Sequence, residues 1–371
     1  MSEKRKARAV LARAHGAPVT VEDVWVDPPR TGEVMLQMSA CGVCHSDLSA
    51  AQGIIPLPPP VVLGHEGAGT VIAVGDGVHQ LAVGDRVVTS FVSMCGHCRY
   101  CSTGRPQLCD QAVKATYTLP DGTTRLHDMA GNPLNIFSGC GVMADMATLH
   151  QDNVVKIEQA VSMECCALVS CGVMTGVGAV VNAARVQPGS TAVVFGAGGV
   201  GLNAIQGCHI AGAAMIVAVD RADSKLELAR LFGATHTVNA SHDDNLVKTL
   251  RKLTGGGADY AFECVGLGEV VAQAYGCLRK GGTAVAVGVA SVKDTTTLKT
   301  LTLSLEEKTL TGCYYGSGRP REDFPRLIAL YRAGRLKLDE LITHRYRIDE
   351  APQAFADLSA GRNARGMIVF D

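Results

Sequence analysis

The sequence is short of the features that mark nucleic-acid-binding, membrane and fibrous proteins. Its 34 Lys and Arg nearly cancel its 35 Asp and Glu, leaving a formal net charge of −1. No electrostatic footprint for a polyanion or an anionic bilayer follows from that balance. Apolar stretches are broken by Gly, Asn or charge before they reach 18 residues, so no membrane-spanning segment is expected. The opening MSEKRKARAVLARAHG is basic but has no apolar core, which predicts no signal peptide and a cytoplasmic location. Internal repeats and low-complexity tracts are also lacking. What is present is a globular composition of 371 residues, 47% hydrophobic and 19% charged, enough chain for two domains.

Cysteine is plentiful, at 14 residues. In a cytoplasmic chain that number does not read as a disulfide framework. Four of them, Cys95, Cys98, Cys101 and Cys109, fall in MCGHCRYCSTGRPQLC with two, two and seven residues between them. Thiols at this spacing can aim their sulfurs at one point and close a tetrahedral S4 site, the donor set that zinc prefers. The alternatives are a redox pair, which needs two thiols and not four, and chance clustering. A closed S4 site has no open position. It would stabilise its own lobe, about residues 91–112, through the free energy of metal binding, and it does not explain activity.

Two grammars divide the chain. Up to about residue 172 the segments are short, rich in Val and bounded by Gly, Pro and Asp, as in EVMLQMSACG (33–42), AGTVIAVG (68–75) and DRVVTSF (85–91). These read as strands and turns of a partly closed β domain. The turn-rich stretch 110–150 (LPDG, AGNP) reads as an excursion over the surface. From 173 to about 314, apolar runs alternate with helical patterns: TAVVFG, MIVAVD, ADYAFECVG and TAVAVGVA are each separated by a helix-like segment, EVVAQAYGCLRKGG among them. That alternation predicts a parallel, doubly wound α/β sheet. The tail adds one helix, DFPRLIALYRAG, and a closing strand, GMIVFD.

The first of those strands runs into Gly196-Ala-Gly198-Gly199-Val200-Gly201, and Asp220 ends the next strand, 24 residues past Gly196. A lone GxGxxG is weak, but here it ends a strand, opens a helix and is followed by an acid at the expected distance. Gly196 permits the tight turn, Gly198 lets a pyrophosphate approach the backbone, and Gly201 lets helix and sheet close up. Asp220 would accept hydrogen bonds from the adenosine ribose and repel a 2′-phosphate, which favours NAD over NADP. Arg221 is a counter-signal. A sheet turn that merely needs glycine is the plainer alternative.

Three further motifs are modest singly: Cys41-Gly-Val-Cys44-His45-Ser46-Asp47, Gly64-His65-Glu66 and Ser170-Cys171-Gly172. Taken with the four-cysteine lobe, SCGVMTGVG, FGAGGVGL, VAVD and the closing ARGMIVF, in that order along the chain, they resemble the zinc-dependent alcohol dehydrogenases of the medium-chain dehydrogenase/reductase family. The resemblance implies a Rossmann NAD-binding domain, residues 173–314, inserted into a GroES-like catalytic domain, residues 1–172 plus 315–371. It implies two Zn2+ per chain. The structural ion takes Cys95, Cys98, Cys101 and Cys109, and the catalytic ion takes Cys44, His65 and Cys171 with Glu66 beside it. Asp47 would orient His65. The other eight cysteines, Cys41, Cys140, Cys165, Cys166, Cys208, Cys264, Cys277 and Cys313, are left for packing.

By the same resemblance, zinc would act on the oxygen of a small alcohol while NAD accepts a hydride. Ser46 would take the alcohol proton. Val200 and Thr175 would lie by the nicotinamide, His45 and Arg365 by the pyrophosphate, and Asp220, Arg221 and Lys225 by the adenosine ribose, with Val265 and Val289 also contacting the cofactor. Ser46, Ile55, Phe91 and Val289 would line the substrate pocket, with Leu57 at its mouth. Many members carry a histidine where this chain has Ser49; without it the relay ends in water, in Ser49 or in His45. The mostly apolar pocket implies medium-chain or aromatic primary alcohols. The resemblance of the 110–140 stretch to the longer members implies a homodimer.

Three other readings compete. A zinc module for nucleic acid or protein binding would need a basic patch, and only Arg99 and Arg105 flank the lobe. A zinc-free quinone reductase on the same scaffold would not use Cys44, His65 and Cys171 as ligands. A dehydrogenase for a thiol adduct of formaldehyde is the serious rival. Such enzymes place acids where Ile55 and Leu57 stand, and an arginine where this chain has Val113 next to Lys114.

Overall fold

The computed structural model describes residues 3–114, 116–157 and 161–370, with the backbone alone at Val113 and Lys114. Two compact units emerge. The first holds residues 1–171, 319–332 and 338–371; the second holds 172–318 and 333–337.

In the first unit, the strand Glu33–Val43 is the organising element. It is 11 residues long and only Gln37 and Ser39 are not fully buried. Gly67–Val74 and Met146–His150 pair with it, both antiparallel, and Arg365–Val369 pairs antiparallel with its C-terminal end. The register is what matters for function. Cys41 sits opposite Gly67 and Val43 opposite Gly366. Cys44, Glu66 and Arg365 each stand one residue outside those pairs, so the register gathers three segments far apart in the chain at one strand end. A second, five-stranded sheet runs in the order Leu126–Asp128, Thr20–Val26, Arg5–Ala12, Val61–Val62, Asn135–Ile136.

The turn-rich stretch 110–150 is not the surface excursion its composition suggested. It contributes Leu126–Asp128 and Asn135–Ile136 to the five-stranded sheet and Met146–His150 to the other. Leu119, Leu126, Leu134 and Ile136 are at most 2% exposed and share one apolar cluster with Leu11 and Val24. Arg125 is buried with them, its guanidinium donating to both oxygens of Glu33 at 2.9 and 2.5 Å. The polar turns are therefore the loops between buried pieces.

The second unit is a six-stranded, wholly parallel sheet in the order His236–Asn239, Met215–Asp220, Thr191–Phe195, Ala258–Glu263, Leu278–Ala286, Thr309–Gly312. This is the doubly wound order of a Rossmann domain, with its switch point between the third and fourth strands of that list. The helix expected over EVVAQAYGCLRKGG stops at Gly276, and Leu278 already opens a strand paired with Ala258. The strip 333–337, placed by sequence in the first unit, groups with the second. Lys337 donates its N–H to Gln206 Oε1 and accepts from Gln206 Nε2, at 2.7 and 3.0 Å, which ties it to the helix Gly199–Ile210.

One helical run, Met163–Ala184, is 22 residues long with a mean hydropathy of 1.8, which exceeds what the sequence reading allowed. It is long and apolar enough to cross a membrane, but 83% of it is buried inside the protein, as a core helix is. Over Val169–Val173 it widens into a π-type turn, and Cys171 sits in that turn. Such turns are rare and recur at functional sites.

Candidate active site

Cys44, His65, Glu66 and Cys171 offer one sulfur, nitrogen or carboxylate oxygen each, and these atoms all lie within 4.8 Å of one another. All four residues are buried. Cys44 is the residue before the helix His45–Ala51, extended at φ −114°. His65 and Glu66 follow Gly64, whose φ of +96° and closeness to the Met143 backbone exclude any side chain.

Asp47, at 0% exposure, accepts from Gly64 N–H at 2.8 Å through Oδ1. Its Oδ2 lies 3.2 Å from His65 Nδ1. The two atoms are off the hydrogen-bond axis, so neither has an aligned partner, but the charge faces the ring. With Nδ1 turned to Asp47, Nε2 is the nitrogen that can ligate. The ring is held edge-on by Phe91 and Phe137, with centroids at 5.4 and 5.1 Å. Phe137 was not singled out by sequence; nothing in FSGCG marks it.

Glu66 Oε1 accepts from the Arg365 guanidinium at 2.8 Å, 299 residues apart in the chain. Glu66 Oε2 is buried without a partner. Gly42 was likewise missed: a Cβ there would overlap Glu66 Oε2, so the glycine between Cys41 and Val43 leaves room for that carboxylate. Arg365, expected at the pyrophosphate, is 5% exposed and engaged with Glu66.

The electrostatics are those of a donor cluster built around positive charge. The hydrogen bond from Cys171 pulls Cys44 well below the usual thiol range, against burial, with His65 and Arg365 adding to the pull. Cys171 is pushed correspondingly up, by Cys44 first and burial second. Burial, the largest influence on His65, opposes its charged form, but Asp47 and Cys44 outweigh it and raise the ring's pKa well above the ordinary value. Burial lifts Glu66 to about 7, partly offset by Arg365. Two sulfurs and an imidazole gathered within 4.8 Å, with a carboxylate beside them, could hold a metal ion, and this donor set fits a zinc that keeps a position open.

The lobe cysteines fit a closed site. Their four sulfurs also lie within 4.8 Å of one another, and Cys98 and Cys109 Sγ are 4.0 Å apart, near the ~3.8 Å edge of a tetrahedron with ~2.3 Å zinc–sulfur bonds. Backbone N–H groups of Cys95, Cys98 and Cys101 point at the sulfurs of Cys109, Cys95 and Cys98, at 3.5, 3.4 and 3.5 Å. N–H groups of Cys101 and Asp110 lower Cys98 to about 6, while burial raises Cys101 to about 12.

Around this centre, Ser46 Oγ is 3.8 Å from Cys44 Sγ and partly exposed. His45 is exposed, and Ser49 lies one helical turn past Ser46. Ile55 and Phe91 are partly buried against the same core cluster. Leu57, expected at a pocket mouth, is 3% exposed and belongs to that core, while its carbonyl accepts from His15. The comparison drawn at Val113 and Lys114 rests on side chains outside the described residues.

The nucleotide motif lies in the second unit. Gly196 ends the strand Thr191–Phe195 at φ +88°, and a Cβ on Gly201 would overlap Gly196 O. Around Gly198 nothing lies within 4 Å of where a side chain would begin, so the backbone there is open to an approaching group. Gly199, Val200 and Gly201 open the helix Gly199–Ile210. Val200 packs by its carbonyl near Gly176, one residue past Thr175. Val265 touches the Gly196 position, and Gly266 packs on the Val289 backbone; Val289 itself is 73% exposed. Lys225, half-buried, stands in the helix Asp223–Leu231 that follows Asp220 and the exposed Arg221. This open, glycine-lined turn at a helix N-terminus fits a dinucleotide.

The alcohol dehydrogenase GroES-like domain model matches residues 30–159, and the zinc-binding dehydrogenase model matches 199–333. An NDMA-dependent alcohol dehydrogenase of Amycolatopsis methanolica is 41% identical over 368 residues, covering 98% of this chain and 99% of its own. An S-(hydroxymethyl)glutathione dehydrogenase of Paracoccus denitrificans is 35% identical, covering 98% of this chain and all of its own. The crystal structure of benzyl alcohol dehydrogenase from Acinetobacter calcoaceticus superposes with a TM-score of 0.90 at 34% identity, over 99% of this chain and 100% of that one. Two domain matches and relatives similar over nearly their whole length place the chain in the zinc-dependent alcohol dehydrogenases of the medium-chain dehydrogenase/reductase family.

Proposed function

We propose that the protein oxidises primary alcohols, medium-chain or aromatic, reversibly to aldehydes with NAD, and carries two zinc ions per chain. The observation that carries the reading is the packing of Cys44, His65 and Cys171 around one point with Glu66 alongside. When bound there, zinc would supply a Lewis acid for the alcohol oxygen and NAD would accept the hydride.

The chain's own residues do the rest. Cys44, His65 and Cys171 hold the metal, and Asp47 fixes the tautomer and plane of His65. Arg365 neutralises part of the Glu66 charge, so the cluster is not overloaded with anions. Ser46 Oγ takes the alcohol proton. Ser49, one turn further on, exposed His45, or water takes it onward. Ser46→Ala is expected to cut alcohol turnover by roughly 10²- to 10⁴-fold, the scale of a positioned proton acceptor. Near-normal turnover in Ser46→Ala, with turnover lost in His45→Ala, would place the proton path elsewhere.

Substrate choice rests on Ile55 and Phe91, which present apolar surface at the edge of the core. Each substrate CH2 buried against such surface is worth about 0.8 kcal/mol. Catalytic efficiency should therefore climb from ethanol to hexanol and benzyl alcohol, and NAD should outperform NADP through Asp220. The relative that acts as an S-(hydroxymethyl)glutathione dehydrogenase supports a second reading, a thiol-adduct dehydrogenase. Steady-state kinetics on ethanol, hexanol, benzyl alcohol and S-hydroxymethylglutathione, with both cofactors, separates them. Far greater efficiency on the glutathione adduct would replace the first reading with the second.

A homodimer is part of the proposal. The strand Thr309–Gly312 ends its sheet and pairs on one side only among the described residues. The helix before it exposes Leu301 and Leu305, at 68% and 70%. An open strand edge beside bare leucines suits a second copy of the chain. Sedimentation equilibrium should give twice the chain mass, and Leu301→Asp with Leu305→Asp should halve it. A wild-type monomer would remove this part.

A further inference from the structure

We infer that Asp220 is a positioning residue for the glycine-rich loop, as well as the ribose acceptor that the NAD reading expects. Its two oxygens already hold the protein's own backbone. Oδ2 accepts from Ala197 N–H at 2.8 Å, and Oδ1 accepts from Arg221 and Ala222 N–H at 2.8 and 3.1 Å. Ala197 lies between Gly196 and Gly198 and is 2% exposed. Asp220 closes the strand next to the one that runs into that loop, with Phe195 paired to Val219. A single carboxylate thus clamps two loop starts, one on each of two adjacent strands.

The clamp answers a need that the glycines create. Gly196, at φ +88°, gives the turn its shape but no stiffness, since glycine has the most backbone freedom to lose. Ala197 N–H is buried and needs an acceptor, because an orphaned buried donor costs free energy. Asp220 supplies it, and in doing so fixes the peptide plane that precedes Gly198. The ionised carboxylate suits this, because both oxygens accept and neither donates. Asparagine cannot replace it. Its amide oxygen can serve Arg221 and Ala222, but its NH2 would then face the Ala197 N–H, donor against donor.

One consequence is that exchanging Asp220 for a small neutral residue, the obvious route to accepting a 2′-phosphate, would loosen the loop. Affinity for NAD and NADP would fall together. The ribose role rests on the NAD reading; the loop role does not.

The test uses the full-length protein without cofactor. Hydrogen exchange on overlapping fragments covering 196–202 should show the Ala197 amide protected in the wild type. In Asp220→Asn it should exchange about tenfold faster or more. Asp223→Asn, whose carboxylate instead accepts from Asn239, should leave Ala197 unchanged. A wild-type Ala197 amide exchanging like an open loop, or equal protection in Asp220→Asn, overturns the proposal; the wild-type measurement stands even if the variant fails to fold. A fluorescence titration then separates the two roles. Part of the affinity lost for NAD in Asp220→Asn should persist for an NAD analogue lacking the adenosine 2′- and 3′-hydroxyls, and that part is the loop's share. If the loss disappears with the analogue, Asp220 acts through the ribose alone and the clamp is wrong. If the wild type does not bind NAD, the cofactor reading fails and hydrogen exchange alone decides the clamp.

Discussion

His65→Ala is expected to give a folded protein that binds NAD, carries one zinc ion instead of two, and has lost turnover by roughly 10³-fold or more. The metal's Lewis acidity is worth several kcal/mol in such reactions, and each 1.4 kcal/mol is a decade of rate. The specificity of the effect follows from the environment of the ring. His65 is 2% exposed, faces Asp47 through Nδ1, and is held edge-on by Phe91 and Phe137. No neighbouring nitrogen stands in the four-residue cluster to replace it. Without it, two sulfurs and Glu66 are left, a set with more negative charge and no neutral ligand. The glycine turn and Asp220 belong to the other unit, so dinucleotide binding should persist. Metal analysis, turnover and cofactor titration on the same preparation check all three statements. Two zinc ions per chain with turnover intact in His65→Ala would dismiss His65 as a ligand.

How much of this centre could be read in the sequence depended on chain distance. Cys44 and His65 lie in short motifs that are modest singly, and it was the resemblance of the whole ordered set to a known family that marked them as ligands. The parallel sheet was legible more directly: each strand is a compact apolar run with its own turn. The Glu66–Arg365 pair was not, because it depends on strand register across 299 residues. Arg365 was expected by the pyrophosphate, and only the pairing of Gly366 with Val43 brings it to Glu66. Gly42 was hidden differently. In sequence it is the spacer of a CxxC pattern, and its reason for being glycine is a carboxylate arriving from another strand. The 110–150 stretch misled because its turn clusters, LPDG and AGNP, read as loops, although the apolar side chains between them fill a cluster. Composition reports the loops; burial is decided by where the intervening leucines land.

The four-cysteine lobe should fail in a way the catalytic centre does not. Cys101→Ser is expected to release one zinc ion and unfold the segment from about Cys95 to Cys109, leaving the catalytic zinc bound. The reason is that the lobe has no core of its own. From Cys95 to Pro106 no residue is buried, and regular structure is limited to one helical turn, Arg99–Ser102. One short helical turn cannot offset the ordering entropy of a dozen residues. Four sulfurs within 4.8 Å of one another, oriented by three backbone N–H groups, make the metal the core instead. Structural zinc supplies roughly 10–16 kcal/mol in small cysteine- and histidine-ligated domains, and serine cannot provide the missing thiolate. The lobe's ends stay anchored, since Met94 donates its N–H to Asp152 O and Cys109 is fully buried. Unfolding should therefore be local. Trypsin offers a direct readout. Arg99 and Arg105 are exposed within the lobe. The bond after Arg105 leads into Pro106 and resists trypsin in any state, so Arg99 is the reporter: it should resist cleavage in the wild type and be cut within minutes in Cys101→Ser, as it should in wild type treated with a strong chelator. A Cys101→Ser protein that keeps two zinc ions, or whose lobe resists trypsin as the wild type does, would mean the fold holds the lobe without its fourth ligand.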